Sequence, residues 1–235
     1  MAGKSALIAG LTEDVTAFIE RQQELMFNER DFQMQLAVAL RACGHYDDVD
    51  VEYFIPNALA TSRGYEWSSD LRLDLVVRVG EEYAVVELKY PTRRIVTDIE
   101  RFNTVLPGVE IVKNHGAQDI VSYNFWKDVR RIEIIRELFP GHVAGGVAVM
   151  LTNDTYYTRG PRAGSICDAF STAGGREHVH GPMEWARPTS TTKGLPPFTL
   201  AGDYSVTWHD TTIDNHQFHY TLIIISKYSN LNDSK

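Results

Sequence analysis

Hydrophobic positions along the chain follow two periods, one typical of helices and one typical of strands. Apolar residues at helical spacing predict three helices, at 12–26 with Thr12 as N-cap, at 28–43 before Gly44, and at 117–139. Alternating or continuous apolar runs predict strands at 49–56, 70–79, 83–89, 145–154 and 218–228. This order indicates an α/β protein with a mixed β-sheet flanked by helices.

Three other stretches have weaker patterns. We predict a loop at 57–69, a short helix at 93–103 and a strand at 108–116. Residues 155–216 are rich in Gly, Pro, Ser and Thr, which predicts long loops. The chain is therefore expected to form a single domain over 1–235, with 155–216 as a loop-rich insertion or extension within it.

Composition limits the class of protein. No apolar run approaches the ~20 residues that span a bilayer, so we expect no membrane association. The two cysteines suggest no disulfide framework, with Cys43 expected as a small buried residue, and together these features predict a cytoplasmic protein. The formal net charge of −8 argues against tight non-specific binding to nucleic acid but leaves room for a local basic groove.

The apolar hairpin "DLVVRVGEEYAVVELKY" carries three charges, at Asp74, Glu87 and Lys89. A two-residue loop at Gly80-Glu81 would have Gly first, as a type II′ turn prefers, and would set Asp74 opposite Glu87. A loop at Glu81-Glu82 would set Asp74 opposite Lys89 instead. Either register turns the three side chains to the same face of the sheet, because side chains alternate with a period of two.

Such a cluster has two interpretations. Two ionised carboxylates within ~5 Å of each other repel, and a hard cation such as Mg²⁺ relieves that repulsion. A neighbouring lysine can then hold or activate a water. Alternatively, Glu-x-Lys is a common cross-strand ion pair on a solvated strand face. The apolar context of "YAVV" before Glu87, with Asp74 opposite, favours the functional interpretation.

These residues resemble the PD-(D/E)xK phosphodiesterase superfamily, which has the restriction endonuclease-like fold. Asp74 matches the first motif position, and the tripeptide "ELK" at 87–89 matches the second. A preceding helix carries Glu29 in "NERDFQMQLAVAL", and a long helix and a strand follow the motif. The resemblance covers residues 28–152 and implies a restriction endonuclease-like core.

The resemblance also implies roles for these residues. Asp74, Glu87 and the carbonyl of Leu88 would bind Mg²⁺ or Mn²⁺, and Lys89 would position or activate the attacking water. Glu29 would assist the metal or its water, although an acid in the first turn of a helix is also explained by the helix dipole. The expected function is a metal-dependent nuclease, with DNA favoured over RNA as substrate. By analogy it would act in restriction or defence against foreign DNA.

Two alternatives stay open. The same fold can serve as a non-catalytic nucleic-acid-binding or regulatory module, and more weakly the chain could be an interaction domain for a protein partner. Cleavage of both DNA strands would favour a homodimer, because two cuts need two sites.

Several other side chains are candidates for contact with the substrate. Arg93 and Arg94 follow the motif strand and are candidates for binding phosphate, although a solvated basic surface explains them equally well. For the basic residues at 127–131 we favour a solvated helix face. The late histidines lack the spacing of a closed zinc site. Aromatic residues in the loops, such as Trp67, could stack on bases but more often anchor the loop.

Overall fold

The computed structural model describes residues 2–190 and 192–226 of the chain. Its helices are α1 Ala2–Arg21, α2 Glu29–Ala42, α3 Asn57–Thr61, α4 Gln118–Leu138 and α5 Thr155–Arg159, with a 3-10 turn at Asp168–Phe170. Its strands are β1 Asp48–Ile55, β2 Leu71–Val79, β3 Glu82–Lys89, β4 Ile95–Arg101, β5 Thr104–Val112, β6 Val143–Thr152, β7 Val179–Met183, β8 Phe198–Tyr204, β9 His209–Ile213 and β10 His216–Ile225. None of these helices is long and apolar enough to cross a membrane.

Six of the strands form one mixed sheet in the order β1-β2-β3-β6-β10-β9. Strands β3 and β6 are parallel, and every other neighbouring pair in this sheet is antiparallel. The β4–β5 hairpin and then the long helix α4 connect β3 to its parallel neighbour β6. Two parallel strands need a long crossover connection of this kind. The predicted α/β class with a mixed, helix-flanked sheet is confirmed.

Each face of the sheet has its own apolar core. On one face α4 packs Trp126, Val129 and Ile132 against residues of β3 and β6 such as Val85 and Met150. On the other face the apolar sides of α1 and α2 cover a second set, which includes Val86, Leu88 and Val147. Successive residues of β3 therefore serve opposite cores, which explains why this strand is almost continuously apolar in sequence.

Gly146 of β6 permits the close packing of these layers. A Cβ at this position would lie 2.3 Å from the carbonyl oxygen of Val85 and 2.9 Å from Cγ2 of Ile132. Both distances are shorter than real contacts, so a larger residue would push β6 away from β3 or from α4. The glycine thus fixes the spacing between the central strands and the helix above them.

The N-terminal helices differ in how well the sequence predicted them. Helix α2 begins after Asn28, whose side chain accepts a hydrogen bond from Asp31 N at 2.9 Å, so its predicted start is confirmed. Helix α1 begins ten residues before the predicted Thr12, so that N-cap assignment is wrong. Thr12 lies inside the helix and donates to the carbonyl of Ile8 at 2.8 Å.

Three local predictions are wrong. Residues 95–101 form strand β4 rather than a helix, because a tight turn with positive φ at Phe102 and Asn103 pairs this segment with β5. The predicted loop at 57–69 contains the short helix α3. Cys43 is exposed rather than buried, because it follows the last residue of α2. The last two residues of the predicted strand 218–228 lie outside the described part.

The segment 155–216 is not only loops, since it contains α5, the β7–β8 hairpin and β9. The buried carboxylate of Glu133 on α4 accepts hydrogen bonds from the backbone amides of Ala201 and Gly202 and from the hydroxyl of Tyr204. Sequence patterning missed these strands because they are short and interrupted by glycine and proline. Helix α4 thereby anchors the segment to the sheet.

Candidate active site

The hairpin of β2 and β3 has the predicted two-residue loop. Val79 pairs with Glu82, and the pairing continues as far as Leu75 with Val86. Gly80 has a φ of 58°, a conformation that favours glycine and suits the first position of a type II′ turn. The predicted Gly80-Glu81 register is confirmed, and the alternative loop at Glu81-Glu82 is excluded.

Asp74 lies one residue beyond the last β2–β3 pair, in register with Glu87. Its carboxylate accepts a hydrogen bond from Leu88 N at 2.7 Å. The side chain of Asp74 therefore joins the two strands just beyond their last backbone pair, Leu75 with Val86. Burial, opposed by Lys89 and reinforced by the negative charge of Asp128, raises the pKa of Asp74 to about 6. A nearby cation would stabilise the ionised form of this buried carboxylate.

Glu87 is the most buried member of the cluster, with 1% of its surface exposed. Its nearest cation is Arg131 of α4, with Nε 3.4 Å from Oε1. Neither carboxylate oxygen has a hydrogen-bond partner among the described residues. Burial, together with the neighbouring carboxylates and against the opposing effect of Arg131, raises the pKa of Glu87 well above its usual range. The solvated cross-strand ion pair is therefore excluded for this residue.

Lys89 lies at the centre of the acidic residues. Its ammonium forms an ion pair with Asp128, donates to the carbonyl of Leu88 at 2.9 Å and lies 4.0 Å from Oε1 of Glu29. Burial acts to lower the pKa of Lys89, but the surrounding carboxylates outweigh it and raise the pKa above its usual value. The lysine is therefore held as an ammonium beside the carbonyl that the family resemblance assigns to a metal.

Glu29 reaches the same cluster from the first residue of α2. Its Oε2 accepts a hydrogen bond from Tyr90 N at 2.9 Å, just after the "ELK" tripeptide. Gln33, one turn later, donates to the carbonyl of Asp74 at 2.8 Å. A helix-dipole role alone does not account for these contacts, since both side chains join α2 to the charged ends of β2 and β3.

Two site residues that sequence reasoning missed come from α4. The side chain of Asp128 is 3% exposed, and it pairs with both Lys89 and Arg131, the latter at 3.2 Å. The prediction that basic residues at 127–131 lie on a solvated face is wrong, since the side chain of Arg131 is only 13% exposed. A signal in the sequence could have revealed both residues. Asp128 and Arg131 lie among apolar residues of α4 such as Trp126 and Val129, where a charged side chain is unusual.

The residues present fit a divalent cation. Four carboxylates converge with two cations, namely Glu29, Asp74, Glu87 and Asp128 with Lys89 and Arg131. This set has two more negative than positive charges when it is fully ionised. The oxygens of Glu87 are the strongest indication, because among the described residues neither accepts a hydrogen bond. Buried carboxylate oxygens without hydrogen bonds are unfavourable, and carboxylate oxygens are the ligands that Mg²⁺ prefers.

The structure places the two predicted substrate-binding arginines in ion pairs. Arg93 lies 3.0 Å from the buried carboxylate of Asp154, and Arg94 pairs with Glu110 on the neighbouring strand. Their charges are therefore largely balanced within the chain, which weakens the case for phosphate binding by either residue.

A separate group lies where the middle of α1 meets the C-terminal end of α2. Asp14, Cys43 and His45 place possible ligand atoms within 4.8 Å of one another. Oδ2 of Asp14 already accepts a hydrogen bond from Tyr46 at 2.7 Å and contacts Nδ1 of His45 at 2.8 Å. These contacts explain the group as a tie between α1 and the segment before β1.

Comparison with protein-family models, curated proteins and solved structures finds no match to this chain. The geometry of the cluster is therefore the basis for the functional conclusion.

Proposed function

We propose that the protein is a nuclease that hydrolyses phosphodiester bonds in nucleic acid with Mg²⁺ or Mn²⁺, and that DNA is its preferred substrate. The observation that carries the proposal is the meeting of Asp74, Glu87 and Lys89 in one cluster, with both oxygens of Glu87 buried and neither accepting a hydrogen bond from a described residue. A structural ion-pair network of this kind would be expected to give these oxygens hydrogen-bond donors.

In this proposal Asp74, Glu87 and the carbonyl of Leu88 would hold the metal. When bound, the metal would activate water and stabilise the negative charge that develops on the phosphate. Lys89 lies beside the same carbonyl and is protonated, so it can donate a hydrogen bond to the attacking water or to a phosphate oxygen. Asp128 would hold the lysine in place, and Glu29 is close enough to accept from a water near Lys89.

One observation favours the non-catalytic alternative. Glu87 is almost fully buried and Lys89 is already paired with Asp128, so the cluster also suits a rigid core of a binding module. The two functions differ in whether the carboxylates bind metal and whether bound nucleic acid is cut.

A cleavage assay tests the proposal. Supercoiled plasmid and single-stranded DNA would be incubated with Mg²⁺, Mn²⁺ or EDTA, with Lys89→Met as the variant and Lys193→Met, an exposed lysine elsewhere, as its control. We expect metal-dependent cleavage by the wild type and the control but not by Lys89→Met. Absence of cleavage by the wild type with either metal, or equal cleavage by Lys89→Met, would contradict the proposal.

A further inference from the structure

A polar cleft lies next to the candidate active site, between α4 and the segment that leads into β2. Its volume is about 570 Å³. It is lined by Tyr65, Ser68, Ser69, Asp70, Arg72, Lys127 and Arg131. Arg131 belongs to both places, since it lines the cleft and lies 3.4 Å from the carboxylate of Glu87. The cleft therefore adjoins the cluster through a single side chain.

Three cations and one carboxylate line this cleft, and among the described residues Arg131 alone of the three cations forms an ion pair. Within the part of the chain that the structure describes, neither Arg72 nor Lys127 forms an ion pair. Each instead lies over an aromatic ring, Arg72 over Phe54 at 5.4 Å and Lys127 over Trp67 at 5.0 Å. The carboxylate of Asp70 is used locally, since it accepts a hydrogen bond from Asn57 N at 2.8 Å.

Two of the three cations come from α4 and the third, Arg72, comes from β2. Lys127 and Arg131 are four residues apart on α4, so they share one face of the helix. Burial and the positive charge of Arg131 lower the pKa of Lys127. An anion in the cleft would offset both effects. In a chain with a formal net charge of −8, unpaired cations grouped beside an acidic cluster point to an anionic ligand.

We propose that this cleft binds the backbone phosphates of the nucleic-acid strand next to the bond that is cleaved, with Arg72 and Lys127 as the contacting residues. The inference rests on the proposed nuclease function and identifies where its substrate lies. Ser68 and Ser69 are exposed residues that line the same cleft, and serine hydroxyl groups can donate to phosphate oxygens.

The cleft is suited to read charge rather than base sequence. Its aromatic neighbours Tyr65 and Trp67 are 4% and 6% exposed, and Nε1 of Trp67 donates to the hydroxyl of Tyr123. Trp67 is thus a core anchor and not an open platform for stacking on bases. Binding through this cleft should depend strongly on salt and little on sequence.

The test measures binding without cleavage. Fluorescence anisotropy of a labelled single-stranded DNA would be followed in EDTA at salt concentrations from ~50 to ~200 mM. We expect Arg72→Gln and Lys127→Gln each to weaken binding several-fold and to reduce the slope of log affinity against log salt by about 0.7. Lys193→Gln, which removes an exposed lysine outside the cleft, should retain the wild-type slope. A second DNA of equal length and different sequence should bind equally well.

The outcomes separate this inference from the proposed function. Wild-type slopes in both cleft variants, a strong preference for one DNA sequence, or no binding by the wild type would overturn the cleft assignment. Loss of binding in the variants without metal-dependent cleavage by the wild type would instead keep the cleft as a nucleic-acid site and contradict the nuclease. Cleavage with an unchanged KM in Lys127→Gln would keep the nuclease and reject the cleft. Thermal unfolding of each variant would show that the fold is retained.

Discussion

The carboxylate of Asp74 accepts a hydrogen bond from the backbone amide of Leu88 at 2.7 Å. This contact joins the two strands just beyond their last backbone pair, Leu75 with Val86, because Asp74 precedes Leu75 by one residue and Leu88 follows Val86 by two. It therefore aligns an acidic side chain of β2 with the "ELK" segment of β3. The contact also places two of the proposed metal ligands, Asp74 and the carbonyl-bearing Leu88, next to each other.

Replacing Glu87 by Gln should greatly weaken metal binding. The substitution keeps the shape of the side chain but removes the charge of the buried carboxylate that lacks hydrogen-bond partners. We expect Mn²⁺ affinity by calorimetry, and cleavage, to fall by roughly a hundredfold or more. Glu81→Gln in the exposed turn of the same hairpin is the matched control and should behave as the wild type. Unchanged Mn²⁺ affinity in Glu87→Gln would remove this residue from the proposed metal site.

Metal binding should weaken as the pH falls below about 6. Burial raises the pKa of Asp74 to about 6, so at pH 5 this group is roughly nine-tenths protonated and its proton competes with the metal. We expect Mn²⁺ affinity about tenfold lower at pH 5 than at pH 7.5. An affinity that stays constant over this range would show that Asp74 is not a ligand.

The same shift predicts how metal-free stability depends on pH. An acid whose pKa is raised on folding from 3.8 to about 6 holds its proton more tightly when folded. Its contribution to stability is therefore fully present below pH 3.8 and is lost as the pH rises through 6. We expect Asp74→Asn to unfold at higher urea than the wild type at pH 7.5 in EDTA, and the difference to shrink towards pH 4. A variant less stable than the wild type at pH 7.5 would contradict this prediction.

Replacing Asp128 by Asn should destabilise the fold. Asp128 is buried between Lys89 and Arg131, so its neutralisation leaves two buried cations with less compensation. We expect the free energy of unfolding in urea to fall by about 3 kcal/mol. Asp203→Asn is the control, since Asp203 pairs with His178 at an exposed site and should change stability little. Equal effects of the two substitutions would mean that Asp128 is not a central support of the cluster.

Replacing Gly146 by Ala should disturb the contact of β6 with β3 and α4. The added Cβ would lie 2.3 Å from a backbone oxygen of Val85, which cannot rotate away as a side chain would. We expect a loss of roughly 2 kcal/mol in the free energy of unfolding, measured in urea. Gly116→Ala is the control, because a Cβ there would meet no atom within 4 Å. A neutral Gly146→Ala would show that the two layers are more loosely packed than the structure indicates.

The sequence by itself determined the elements whose signals are local. The apolar runs defined the five longer strands of the sheet, and Asn28 and Gly44 bounded α2. Gly80 fixed the hairpin turn, because only a residue that tolerates positive φ suits that position, and the turn then fixed the register of β2 against β3. Periodicity and turn chemistry were therefore enough to predict that Asp74 and Glu87 meet.

The tertiary structure decided what surrounds that pair. Asp128 and Arg131 reach it only because α4 packs over β3 and β6, across a spacing that Gly146 permits. Arg93 and Arg94, the sequence candidates for binding substrate, lie in ion pairs, whereas Arg72 and Lys127, in the cleft beside the cluster, form no ion pair with any residue that the structure describes. Whether a charge is balanced depends on neighbours that are distant in sequence. The local pattern therefore predicted the acidic pair together with Lys89, but only the packing of α4 decided that Asp128 and Arg131 accompany them.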